Sequence, residues 1–231
     1  MTGISRRTIH LYPGELADLI QAARGSRDEG RALVSAFEDA FARHLGVRHA
    51  VAVGSGRLGL QLILTQKGVG RGHKVIVPAY TDQSVPQAIR KAGAEPVYVD
   101  VNPETHNLDV DALETLIDSD TRAIIATHLF GAPCDMAAIQ RLCARHNLVL
   151  IEDCAHAVDA VSEGRVCGTI GDAAIFSFVV TKAINTFGGG MVTTNDEALA
   201  YAIRAEASQL PQPEVDGLLR RIITGYMLNL A

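Results

Sequence analysis

The chain has 231 residues, of which 48% are apolar and 20% charged, enough to bury one large core and too apolar for global disorder. Its formal charge of -5 leaves no basic footprint for nucleic acid, and its apolar runs are strand-length, well short of a membrane span. Residues 1–7 are basic but lead into no apolar run of the kind a secretion signal carries. The four cysteines, Cys134, Cys143, Cys154 and Cys167, lack metal-type spacing, so reduced thiols in a cytoplasmic protein without a metal site are expected.

In chain order, residues 1–46 read as a polar arm and an amphipathic helix, with Leu33, Phe37, Ala40, Phe41 and Leu45 at helical spacing. Apolar segments rich in β-formers then recur at 47–53, 74–79, 96–101, 123–127, 148–153, 173–178 and 191–194. Helical patterns at 58–64, 85–92, 110–117 and 136–146 separate the first five. This alternation predicts an α/β fold, a mostly parallel seven-stranded sheet with helices on both faces, over residues 47–208. The Gln209-Leu210-Pro211-Gln212-Pro213 stretch breaks the pattern. Residues 209–231 read as a helical segment with Leu218, Leu219, Ile222, Ile223, Tyr226, Met227 and Leu228 on an apolar face, expected to lack its usual cover.

Ligands in such sheets bind beyond the carboxyl ends of the strands, and several candidates stand there. Gly54-Ser55-Gly56-Arg57 links a strand to a helix, where small residues let backbone N–H groups approach an anion. Asp153 ends an apolar strand, Ser177 nearly ends another, and Lys182 follows it by a few residues. Each alone has a plain structural use: a turn, a helix cap, a strand hydroxyl, a solvated lysine. Their joint placement points to pyridoxal 5'-phosphate chemistry. A lysine amine forms a Schiff base with the cofactor aldehyde, and a carboxylate keeps the pyridine nitrogen protonated so that the ring accepts electrons.

Further stretches occur in a fixed order. They are Val53-Gly54-Ser55-Gly56, Val77-Pro78-Ala79-Tyr80-Thr81, Val99-Asp100-Val101-Asn102-Pro103-Glu104-Thr105 and Asn107-Leu108-Asp109. His128-Leu129-Phe130-Gly131-Ala132-Pro133-Cys134-Asp135-Met136, Ile151-Glu152-Asp153-Cys154-Ala155-His156 and Gly168-Thr169-Ile170-Gly171-Asp172 follow, then the lysine stretch with Gly188-Gly189-Gly190. Together, over about residues 47–196, they resemble the DegT/DnrJ/EryC1/StrS sugar-aminotransferase branch of the fold-type-I pyridoxal phosphate enzymes. The resemblance implies that Lys182 is the Schiff-base and proton-shuttling lysine and Asp153 the pyridinium partner. It also implies that Ser177 with Ser55, Gly56 and Arg57 cradles the phosphate, and that His156 sits beside the cofactor ring where the family has Gln or His.

Three positions depart from the family pattern. Asp82 stands where an aromatic residue usually stacks on the ring, and Tyr80 is expected to point to the other face. Arg57 replaces a cradle threonine. Phe187-Gly188-Gly189-Gly190 replaces Gly-Glu-Gly-Gly, so the acid is lost. Relatives also continue into a smaller domain that this chain is expected to lack, whether as a fragment, a truncated product or a short homologue.

The leading reading is a pyridoxal-phosphate-dependent transaminase moving nitrogen from an amino donor, by family analogy glutamate, to a nucleotide-linked keto-sugar in polysaccharide or secondary-metabolite biosynthesis. A homodimer is implied, with the site at its interface. Lys182 separates this reading from family dehydratases, which carry a histidine there. A second reading stays open: a catalytically impaired or regulatory homologue that binds the cofactor without turnover. Another fold-type-I reaction, a lyase or desulfurase, is a third.

Overall fold

Valine and isoleucine on successive strand positions predict burial on both faces, and the structure, a computed structural model, builds the sheet that way. It describes residues 25–211 together with Gly14, Ala17, Asp18, Gln21, Gly217, Arg220 and Thr224. The expected arm and most of the expected 209–231 segment, with its apolar face, lie outside the described residues. The strands are β1 (His49–Val53), β2 (Lys74–Pro78), β3 (Glu95–Val99), β4 (Thr121–Thr127) and β5 (Val149–Asp153). A small hairpin, β6 (Val161–Ser162) and β7 (Arg165–Val166), precedes β8 (Ala173–Ser177) and β9 (Gly190–Thr194).

All seven expected strands join one sheet in the order β1-β9-β8-β5-β4-β2-β3. β9 alone runs against the rest, pairing antiparallel with both β1 and β8, while the other pairs are parallel. The carboxyl ends of six strands therefore share one edge with the start of β9. The hairpin carries no sequence expectation; it turns at Glu163 and Gly164, both at positive φ.

The helices that lie within residues 25–211 are α1 (Arg27–Leu45), α2 (Gly56–Gln66), α3 (Ser84–Lys91), α4 (Val110–Leu113), α5 (Met136–His146) and α6 (Glu197–Gln209). On one face Val75, Val77, Ile125, Ile151 and Val192 pack against Leu60 and Ile63 of α2, Ile89 of α3 and Ile203 of α6. On the other, Ile76, Ile124 and Leu150 meet Met136, Ile139 and Leu142 of α5, and Phe176 and Met191 meet Phe41 and Leu45 of α1. Strand residues alternate strictly between the two layers, as a period of two requires. Truncating one of these fully buried aliphatic side chains to alanine costs about 2–5 kcal/mol.

Helix starts are written in the sequence. Ser26 and Glu29 form a capping box on α1, and Asp135 and Asp196 cap α5 and α6. Gly46, at φ 78°, ends α1 in the left-handed conformation that glycine adopts without strain.

Two expectations are corrected. Leu33 and Ala40 face solvent, because the stripe of α1 that meets the sheet is Glu38, Phe41, Ala42 and Leu45. Glu38 is buried there for a reason: its carboxylate accepts the Ala52 N–H at 2.7 Å and pairs with Arg204. β1 is an edge strand, and this contact covers its free edge. The helix expected at 110–117 stops at Leu113 and tightens into a 3-10 turn, Glu114–Leu116. Ile117 is already extended there, and Asp118 caps the turn into β4 through Asp120 and Thr121.

Candidate functional site

Beyond the carboxyl ends of β1 and β8, three backbone segments meet closely. Ser55 is extended and caps α2, its Oγ accepting the Leu58 N–H at 3.1 Å. Ser55 also bridges to Gly189, and Ser177 pairs with Gly190 in register. A Cβ on Gly190 would stand 2.5 Å from the Gly56 nitrogen and 2.6 Å from the Phe176 oxygen. A Cβ on Gly56 would press on the Phe176 oxygen at 3.2 Å and the Ser177 Cβ at 3.5 Å. These two glycines let Ser55, Gly56 and Ser177 converge at the N-terminus of α2, where hydroxyls and backbone N–H groups suit an anion. Arg57 is exposed and does not join them; its guanidinium donates to Gln87 Oε1 of α3 at 3.3 Å.

The charged residues gather beside this cradle. Asp153 is buried at the end of β5, its Oδ1 accepting the Ala155 N–H at 3.0 Å. Burial pushes its carboxyl up, opposed by the Ala155 bond and the Lys182 charge. Lys182 is half-buried, and burial pulls its amine down while Asp153 and Asp82 act the other way. His156 is lowered by burial and by Lys182, with Asp82 opposing. Asp82 is held low by its bonds from Ser84, hydroxyl and backbone N–H, with the Lys182 and His156 charges adding to them. Asp153, Lys182, His156 and Asp82 thus act on one another although they follow three different strands.

The lysine loop is pinned from below. The N–H groups of Thr186 and Gly188 both donate to the Phe178 carbonyl, and Asn185 Oδ1 accepts the Phe187 N–H at 2.8 Å. Phe187 sits buried at φ 58°, a conformation glycine takes freely and other residues take at a cost.

On the opposite face of β5, Glu152 is fully buried. It accepts N–H bonds from Gly168 at 2.8 Å, Ile170 at 2.7 Å and Gly171 at 2.8 Å, and pairs with His128 Nε2 at 3.1 Å. Burial alone would raise its carboxyl, but the donors win and it lies below the usual range. His128 Nδ1 accepts the Cys134 N–H at 3.1 Å, which places the ring proton on Nε2, facing Glu152. Among the described residues His128, Glu152 and Cys167 bring ligand-type atoms together. Both Glu152 oxygens and both His128 nitrogens are already committed to hydrogen bonds, so the trio is a structural strut. The four cysteines are buried thiols, and burial pushes Cys143 and Cys154 up to about 12.

Three buried side-chain polar atoms lack a partner among the described residues: Thr81 Oγ1, Thr127 Oγ1 and Asn185 Nδ2. An unsatisfied buried group costs about 1–3 kcal/mol. All three stand beyond or at the carboxyl ends of β2, β4 and β8, the edge that also carries Asp153 and Lys182. Orphans concentrated at one edge fit a polar ligand there, and the donor set of hydroxyls, amide, lysine and carboxylate suits a phosphorylated pyridine aldehyde. An aromatic rim borders the site. Phe130 stacks on His156 at 5.9 Å with ring planes 5° apart, and Tyr80 meets Phe130 and His106 edge-on. Thr127 and Asn185 carry no sequence signal beyond their neighbours, and Phe130 is visible only as part of a motif.

The family model described as the DegT/DnrJ/EryC1/StrS aminotransferase family matches residues 14–225. GDP-perosamine synthase of Caulobacter vibrioides is 46% identical over 184 residues, covering 80% of this chain and 49% of that protein. Among solved structures, DesI with its TDP-sugar product matches with a TM-score of 0.77 at 36% identity, over 87% of this chain and 52% of that one. Spr1654 of Streptococcus pneumoniae, solved in a PLP form, matches with a TM-score of 0.77 at 25% identity, over 87% of this chain and 57% of that one. The chain spans about half the length of the curated relatives it matches.

Proposed function

The chain belongs to the DegT/DnrJ/EryC1/StrS aminotransferase family, and from that premise we propose that it carries the cofactor-binding part of a nucleotide-sugar transaminase. The reaction would transfer an amino group, with glutamate as donor, to a nucleotide-linked keto-sugar in the cytoplasm. Residues 47–208 form the pyridoxal 5'-phosphate domain, and two copies assemble as a dimer. The names of its relatives support the substrate class: a GDP-perosamine synthase and a dTDP-amino-sugar transaminase are among them.

When bound, pyridoxal phosphate supplies an aldehyde that captures amines and a ring that accepts electrons. The residues of this chain do the rest. Ser55, Gly56 and Ser177 hold the phosphate at the N-terminus of α2, with Arg57 adding positive charge at the rim. Asp153 holds a proton on the ring nitrogen by pairing with it. A cation there also relieves the burial that pushes the Asp153 carboxyl up. Lys182 Nζ would hold the cofactor through its aldehyde carbon, the aldehyde oxygen leaving as water; burial lowers this amine, which favours its neutral, nucleophilic form. The same amine would carry the substrate proton. His156, its ring plane set by Phe130, would flank the cofactor.

The observation that carries this reading is the convergence of half-buried Lys182 on buried Asp153 at the edge where the orphaned polar atoms collect. Asp82 keeps a second reading in view, cofactor binding without turnover, because a carboxylate stands where the family stacks an aromatic ring. One experiment separates them. The cofactor-loaded protein is mixed with glutamate, and then with a panel of keto-sugar nucleotides, while absorbance and 2-oxoglutarate are followed. Conversion by glutamate and reversal by a keto-sugar support the transaminase; a stable, unreactive chromophore supports the binding protein.

A further inference from the structure

Thr127 ends β4 directly beside the end of β5, in the register Ile125 with Ile151 and Thr127 with Asp153. Ile125 and Ile151 lie in the same core layer. The period of two then puts the Thr127 and Asp153 side chains on that same face. Adjacent strands stand about 4.8 Å apart, so a threonine hydroxyl reaches the neighbouring carboxylate by rotation about χ1. Thr127 is 6% exposed and Asp153 5%, so water has little access to either. The Thr127 Oγ1 has no partner among the described residues, and Asp153 Oδ1 accepts only one backbone N–H.

We infer that Thr127 is a positioning residue of the cofactor site, its hydroxyl donating to the Asp153 carboxylate and holding it ionised and aligned toward the ring nitrogen. The inference rests on the assignment of Asp153 as the ring-nitrogen partner. The other groups that act on Asp153 are Lys182 after β8, His128 after β4, Asp82 after β2 and the adjoining Cys154 thiol. None of them supplies a neutral hydroxyl donor. Removing a donor from a carboxylate raises its pKa, so cofactor affinity should fail at a higher pH on the acidic side.

Equilibrium dialysis of the full chain with pyridoxal phosphate across pH tests this, using Thr127→Val, which keeps the shape, and Thr127→Ser, which keeps the hydroxyl. Thr127→Val should move the acidic limb of the affinity profile up by about one pH unit, and Thr127→Ser should track the parent. Superimposable profiles for Thr127→Val and the parent overturn the inference and leave the cofactor assignment standing. Equal shifts for Val and Ser also overturn it, since the loss would then be one of packing. A parent protein that binds no cofactor overturns both. If Thr127→Val does not fold, Thr127→Ala set against Thr127→Ser carries the same contrast.

Discussion

Glu152 and Asp153 are consecutive buried carboxylates with opposite fates. Glu152 faces one layer of the core and is saturated by three backbone N–H groups and His128. Asp153 faces the other, beside Lys182, and has one backbone N–H. The first lies below the usual carboxylate range despite its burial, and the second is pushed above it because of burial. A buried acid whose acceptors are full ties structure together, here β5 to the 168–171 loop. A buried acid left short of donors is kept for something that arrives.

That contrast breaks first at Asp153. Asp153→Asn should fold and keep the phosphate contacts, yet lose half-transamination with glutamate by several orders of magnitude, read in single-turnover absorbance. Its stability at neutral pH should stay within about 1 kcal/mol of the parent, because the charge removed is one that burial disfavours. Transamination at the parental rate would end the ring-nitrogen assignment.

Glu152→Gln should reverse the pattern. It leaves backbone N–H groups facing an amide that accepts less, and we expect a loss of about 3 kcal/mol in urea unfolding. The pH signs differ as well. The lowered Glu152 carboxyl contributes stability above its unfolded pKa, and this is lost as pH falls through its folded value. The raised Asp153 carboxyl contributes most below its unfolded pKa and loses that contribution as pH rises through its folded value. Removing Glu152 should therefore flatten the acid side of the apo-protein's stability profile, and Asp153→Asn should flatten the rise-of-pH side.

Gly190→Ala comes next in size. Its Cβ would meet backbone atoms of Gly56 and Phe176, so β9 or the cradle must shift. An affinity loss for pyridoxal phosphate of about tenfold, more than any change in overall fold by circular dichroism, is the expected result. An unchanged affinity would take Ser55, Gly56 and Ser177 out of the phosphate site. The smallest effect is expected at Asp82, which sharpens the comparison by restoring a ring. Asp82→Phe should raise cofactor affinity only a few-fold, since gained stacking is offset by the loss of the bond from the Ser84 N–H.

Much of the fold is legible in the sequence. Seven strands show because β-branched residues fill both faces, and Ser55, Asp153, Ser177 and Lys182 show because each stands just past or near a strand end. The facing of Glu152 against Asp153 is not written in residue type; only the strand's period and its neighbours decide it. Thr127 reads as an ordinary β-former until its register partner is known. Leu33 looks like core because a helical stripe does not reveal where the sheet begins beneath it. Asp82 reads as a defect in a motif, whereas in the fold its carboxylate accepts the Ser84 N–H at the start of α3 and feels the Lys182 and His156 charges.

The central claim is that this edge of the sheet binds pyridoxal phosphate through Lys182. Borohydride reduction of the cofactor-treated protein followed by peptide mass mapping tests it directly. The account predicts one reduced cofactor mass on the peptide containing Lys182, absent in Lys182→Ala. A mass on another lysine, or the same yield in Lys182→Ala, would contradict it.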